Sequence, residues 1–173
     1  MTGGIRQIQM LYTPEEDRIL FRVNSTDQKE FRFWLTRRFS ILLLKVLQDH
    51  LERDPDISTQ GTPQAREAVK EFKQQQAMSS ANFKEKFSED RQELPLGEEV
   101  RVAFKLTYNM KGNDLHLGVQ PKDGKGINMV INRDINLSMQ RLLLDAAGKG
   151  DWKLGRWTPA GGSSDQEDNI VIN

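Results

Sequence analysis

Cysteine is absent from the 173 residues. That removes disulfides, thiolate metal sites and cysteine nucleophiles together. Histidine occurs only at 50 and 116, too sparsely for a histidine metal cluster. No GxxxxGKS, GxSxG or HExxH motif is present, so neither catalysis nor a cofactor nor a metal is expected. No apolar run approaches the roughly 18 residues that cross a bilayer; the longest, Ile41 to Leu44, lies in an amphipathic stretch. The opening MTGGIRQIQMLY lacks the apolar core of a signal peptide, and the expectation is a cytoplasmic protein with no membrane partner. A surplus of charge is also missing. Lysine plus arginine number 25 and aspartate plus glutamate 25, so the chain lacks the overall basicity usual in phosphate binders. The charges are nevertheless segregated: Arg101 to Trp157 holds ten basic and five acidic residues, and the segment after Trp157 holds three acidic residues and no basic one.

What is present is alternation. Ile8, Met10 and Tyr12 fall on one face at period two; Ile19, Phe21 and Val23 follow, then Phe31, Phe33 and Leu35. Turn chemistry separates them at 13–17 and 25–28. Thr36 is placed to cap a helix running to about Glu52, with Phe39, Leu42, Leu43, Val46, Leu47 and Leu51 as its apolar stripe. Residues 57–97 are polar and glutamine-rich, with a thin stripe of Ala65, Val69 and Phe72, and predict a helical linker. From Glu98 alternation resumes: Val100, Val102, Phe104, Leu106 and Tyr108 inward, then Leu115, Leu117 and Val119, then Ile127, Met129 and Ile131. Asn132 caps a second helix, stopped by Gly148 and Gly150.

Shifted by 96 residues, the two halves superpose without a gap, all nine inward strand positions apolar in both. Thr36 falls on Asn132, and Tyr12, Val23, Asp27, Lys29, Arg37, Leu47 and Asp49 meet identical residues. The expected fold is α+β: two βββα repeats, 1–56 and 98–154, related by a pseudo-twofold and joined by the helical linker 57–97, with a flexible acidic tail at 155–173. The sheet is antiparallel, helices cover one face, and the other face is open to water.

By parity that open face carries Gln7, Gln9, Leu20, Arg22, Arg32 and Trp34 from the first half. The second half adds Arg101, Lys105, Thr107, His116, Asn128 and Val130, and no carboxylate stands among the twelve. Cations that track phosphates beside a ring that stacks a base would suit single-stranded nucleic acid; arginines merely exposed on a sheet, with Trp34 under the linker, are the plainer reading. Arg37 and Arg133, one residue after each cap, oppose the helix dipole and suit an anion site at the helix start, or else an ion pair with a loop carboxylate. Arg38 adjoins the first of these. The tail ends in an apolar IleValIle after its acidic cluster and resembles, in character, the C-terminal tails of bacterial single-stranded DNA-binding proteins; alternatively it adds as an edge strand to this domain or a neighbour.

EDRILFRVN at 16–24 and EFRFWLTRR at 30–38 resemble segments of a small bacterial family to which no activity is assigned. The repeated sheet-then-helix plan resembles the PUR and Whirly single-stranded nucleic-acid-binding folds, though those use four strands per repeat. The expected function is non-enzymatic binding of single-stranded DNA or RNA through Arg22, Arg32, Trp34, Arg37, Arg38, Arg101, Lys105 and Arg133. The alternative is an adaptor or assembly protein whose partner binds the sheet face, the linker helix or the tail. Homo-oligomers through open sheet edges are left open.

Overall fold

The computed structural model describes residues 3–80, 86–88, 92–154 and 169–171. The first unit is β1 (Ile5–Thr13), β2 (Arg18–Ser25), β3 (Glu30–Leu35) and α1 (Arg37–Glu52). A short helix α2 (Pro55–Ser58) and the longer α3 (Pro63–Ser80) lead to the second unit: β4 (Arg101–Val102), β5 (Lys105–Lys111), β6 (Asp114–Gln120), β7 (Ile127–Ile131) and α4 (Arg133–Lys149). A last strand, β8, spans Asn169–Val171. The α+β class and the succession of three strands and a helix, twice, follow the sequence pattern. The caps also agree. Thr36 Oγ1 accepts from the Phe39 amide at 3.2 Å, and Asn132 Oδ1 from the Ile135 amide at 2.9 Å.

Two four-stranded sheets result, β1-β2-β3-β4 and β7-β6-β5-β8. In both units the second and third strands pair alike: Ile19 faces Leu35, and Leu115 faces Ile131. The first pairing differs, and here the ungapped repeat fails. Thr13 faces Arg18 across residues 14–17, whereas Lys111 faces Asp114 across Gly112 and Asn113 alone. Gly112, at φ +59°, supplies the positive φ that a two-residue turn needs at its first position. Leu106, not Phe104, therefore faces Val119 as Ile8 faces Val23, and Met110 takes the place of Tyr12. A slip of two residues preserves a period-two pattern, so alternation alone does not reveal it.

A second departure lies where the sheets meet. β3 and β4 pair in parallel, Phe33 with Arg101 and Trp34 with Val102. Arg101 thus stands in the row of an inward residue and Val102 in the row of an outward one, the reverse of the expected parity. Ala103, expected outward, is buried in the core, and Phe104 is only half-buried. The Ala103 amide donates to Trp34 O in the first sheet and the Phe104 amide to Gln120 O in the second, at 2.9 and 2.8 Å. One chain segment therefore belongs to both sheets and changes its facing as it passes between them.

The inner faces of both sheets, α1 and α4 share one apolar core that includes Phe21, Phe33, Leu43, Leu106, Leu117 and Leu143. A buried polar chain joins the helices. Gln140 Nε2 donates to Asn136 Oδ1 at 2.6 Å; Asn136 Nδ2 donates to Leu47 O and meets His50 Nδ1, both at 2.8 Å; His50 Nε2 reaches Asn113 O at 2.9 Å. With an amide facing Nδ1 and a carbonyl facing Nε2, His50 is the Nε2–H tautomer, accepting on one side and donating on the other. Gly148 does not stop α4, which runs on to Lys149 and ends at Gly150. Gly150 lies against the Tyr12 ring, and Trp152 packs edge-on to Tyr12 at 5.8 Å. Both polar tips go to one carboxylate: Tyr12 OH and Trp152 Nε1 donate to Asp17 Oδ1. That hydrogen bond, then burial and the Asp17 charge, raises the Tyr12 phenol above its ordinary range. Among the described residues, no helix is long and apolar enough to cross a membrane.

Candidate functional site

The outer faces of the two units, matched in the sequence, differ in the structure. On the first, Arg22 and Arg32 are cross-strand neighbours, with Trp34 two residues along β3. Parity also puts Glu30 there, a residue missing from the expected face although it alternates with Arg32 and Trp34. Glu30 is only 7% exposed. Arg22 Nε donates to its Oε1 at 2.9 Å, and Arg32 Nε lies 3.9 Å from the same oxygen. Arg22 also donates to Gln9 Oε1 at 3.0 Å, and its guanidinium sits 4.2 Å from the Phe87 ring centroid. Arg32 donates to Glu98 O at 2.7 Å.

The linker roofs this face. Gln7 donates to Lys86 O and accepts from the Ser88 amide; Asn24 reaches Ser88 O. Glu93 exchanges backbone hydrogen bonds with Gln28 and Glu30. The arginine side chains are left 17% and 24% exposed, and Trp34 is half-buried between Leu20 and Val102. The cations therefore hold a buried carboxylate and the linker segments at Phe87 and Glu98 in place. Sequence parity supplied the face but not its cover, because Phe87 and Ser88 lie more than 60 residues from the strands they touch.

The remaining expected cations scatter. Arg101 donates to Asp123 O at 2.8 Å, on the opposite parity from Arg22 and Arg32. Arg37 and Arg38 are exposed in the first turn of α1. Arg133, the same repeat position as Arg37, takes the ion-pair alternative: its Nη1 is 2.8 Å from Asp54 Oδ2. Asp54 caps α2, accepting from the Asp56 amide, and also takes Lys73 Nζ at 2.7 Å. Burial pushes the Asp54 carboxyl up, but the hydrogen bonds from Lys73, Arg133 and the Asp56 amide outweigh it and hold the group below the ordinary carboxylate range. Lys73 answers in the opposite sense. Burial lowers it, and the bonds to Asp54 and Asp56 raise it overall. Lys105 alone of the eight lies on the second unit's outer face.

Among the described residues, none crosses that second face. Lys105, Thr107 and Asn109 on β5 stand beside Gln120, Gly118 and His116 on β6, and Asn128 and Val130 on β7 complete the rows. Asn109 and Asn128 are exposed and Val130 is 50% exposed. At the centre is Gly118, where a Cβ would overlap Thr107 Oγ1 and Asn128 Oδ1, so both side chains lean over a floor that has none. The hollow measures about 400 Å³. Its lining joins the hydrogen-bonding groups of Thr107, Asn109, His116 and Asn128 to Tyr108, Met129 and Val130. Asn109 and Gly118 were not singled out in the sequence; a glycine inside an otherwise regular strand is the signal that marks such a spot. A larger groove of about 580 Å³ runs between β1 and the α3 and α4 side, with Ser80, Lys86 and Phe87 also in its lining.

Among the described residues, no cluster of histidine, aspartate or glutamate is arranged to hold a metal ion. Comparison of the chain with protein-family models, with curated proteins and with solved structures yields no match.

Proposed function

We propose that the protein is a non-catalytic adaptor that binds another protein through the bare outer face of its second unit. The observation that carries this reading is the asymmetry of the two faces. The charged one is roofed by the chain itself, and the other, crossed by none of the described residues, has no lysine, arginine, aspartate or glutamate lining the hollow at Gly118, with Val130 half in solvent. Depletion of charge at the centre of a patch, with hydrogen-bonding groups and an apolar anchor, is the pattern of protein interfaces. Phosphate recognition relies on free cations and stacking on an open ring. Arg22 and Arg32 are engaged within the fold, and no phenylalanine, tyrosine or tryptophan stands among the outward positions around the hollow, where His116 carries the aromatic ring.

Purification of the tagged chain from its host, with nuclease and high-salt washes, tests the proposal. Val130→Asp is expected to remove the co-purifying protein, and Arg32→Gln to retain it. Loss of the partner after nuclease treatment would overturn the reading. So would retention by Val130→Asp.

A further inference from the structure

Successive amides of an extended strand point to opposite sides. The Ala103 amide is bonded to β3 and the Phe104 amide to the β6 side, so β3 and β6 flank the same strand. β3 ends at Leu35, where the chain turns into α1. Beyond Ala103, the first unit therefore leaves one side of β5 without a neighbour. The C-terminal strand fills it: Lys105 faces Val171, Leu106 faces Ile170 and Thr107 faces Asn169, antiparallel.

Three residues hold this strand, at the end of a connection of fourteen residues, 155–168, rich in glycine and serine. Each backbone hydrogen bond contributes about 1 kcal/mol net, and ordering each residue costs about 1–2 kcal/mol. So short a strand is close to balance and readily displaced. We propose that the β5 edge is a strand-accepting site for an extended segment of a second protein, one with β-branched residues behind a run of carboxylates, and that the chain's own C-terminal segment is its resident competitor. The resident shows the chemistry that the edge takes. Ile170 and Val171 follow Asp165, Glu167 and Asp168, and Arg101 to Trp157 carries ten basic against five acidic residues. A guest with the chain's own AspGlnGluAsp sequence, continuing the register of β8, sets its first aspartate opposite Lys111. Backbone pairing supplies the affinity in this mode of recognition, and the alternating side chains supply selectivity. The edge shares Thr107 with the Gly118 hollow, but Val130 stands two strands away on β7, so the two proposals fail separately.

The test uses the full chain with Ile170→Pro and Val171→Pro together, which takes donors from the tail strand and leaves β5 intact. The probe is a fluorescein-labelled peptide of residues 165–173, read by anisotropy. The expected result is saturable binding to the double variant and about twofold or more weaker binding to the unaltered chain, because a tethered resident close to balance occupies the edge about half of the time. The same peptide with both prolines is expected not to bind. Equal binding to variant and unaltered chain, or binding of the proline peptide, overturns the proposal. As a check that needs no variant, millimolar peptide added to the unaltered chain is expected to speed hydrogen exchange at Ile170, the partner of Leu106, while Leu106 stays protected. Unchanged exchange at the tail counts against it. A concentration-dependent dimer by light scattering, abolished by the double proline, would make the occupant a second copy of the chain and overturn the assignment to another protein.

Discussion

Asp54 shows how a single buried carboxylate organises what the sequence offers only as a turn. The ArgAspProAsp run at 53–56 ends α1, and the carboxylate then caps α2, takes Lys73 from α3 and takes Arg133 from α4. Its carboxyl is held below the usual range, so its contribution to stability is fully present above the unfolded value near pH ~4 and is lost as pH falls through the folded value. Asp54→Asn is therefore expected to cost about 2–3 kcal/mol at pH 7, leaving two half-buried cations short of a partner. It is also expected to flatten the acid limb of urea-unfolding stability measured from pH 6 down to pH 2. An unchanged acid limb would contradict the assignment. Glu30 plays the same part on the first sheet. Glu30→Ala strands Arg22 and Arg32 beneath the linker and is expected to lower stability by about 3 kcal/mol, seen as a shift in the urea midpoint.

At the scale of the element, α3 separates legible from illegible information. Its start at Pro63 after Thr62 and its helical nature are plain in the sequence, and Thr62 Oγ1 does accept from the Ala65 amide at 3.1 Å. Its facing is not plain. The thin stripe predicted Phe72 inward, whereas Phe72 is 66% exposed and the inward line is Val69, Lys73 and Ala77. A charged side chain occupies the place of an apolar one because Lys73 meets Asp54 and Asp56, groups some 17 to 19 residues away that no periodicity reports. Phe72→Ala is accordingly expected to change stability by less than about 0.5 kcal/mol. Ala77→Leu, which crowds the contact with α4, is expected to cost about 1–3 kcal/mol. Thermal melts of the two variants check the ordering. The strands behave similarly: their existence and inward rows are readable, but the two-residue slip of β5 and the parity change at Ala103 depend on turn length and on a neighbour in the other sheet.

At the scale of the molecule, the two units share a core and one connecting strand, and the expected unfolding is a single transition. Tryptophan fluorescence and far-ultraviolet dichroism should follow coincident melts; two separated midpoints would contradict a common core. What distinguishes the units is their outer faces. Five of the eight residues expected to bind, Arg22, Arg32, Trp34, Arg37 and Arg38, lie in the first copy, where arginines and a tryptophan are conspicuous. Conspicuous charge there is consumed by Glu30 and the linker, and the plainer second copy keeps the open surface. A photo-crosslinking amino acid placed at Val130, and in parallel at Gln7, tests this account most directly. Irradiation in the host is predicted to give nuclease-resistant protein adducts from position 130, and from position 7 only cross-links within the chain to the Lys86–Ser88 segment that Gln7 touches. Intermolecular adducts from position 7 with none from position 130 would contradict it.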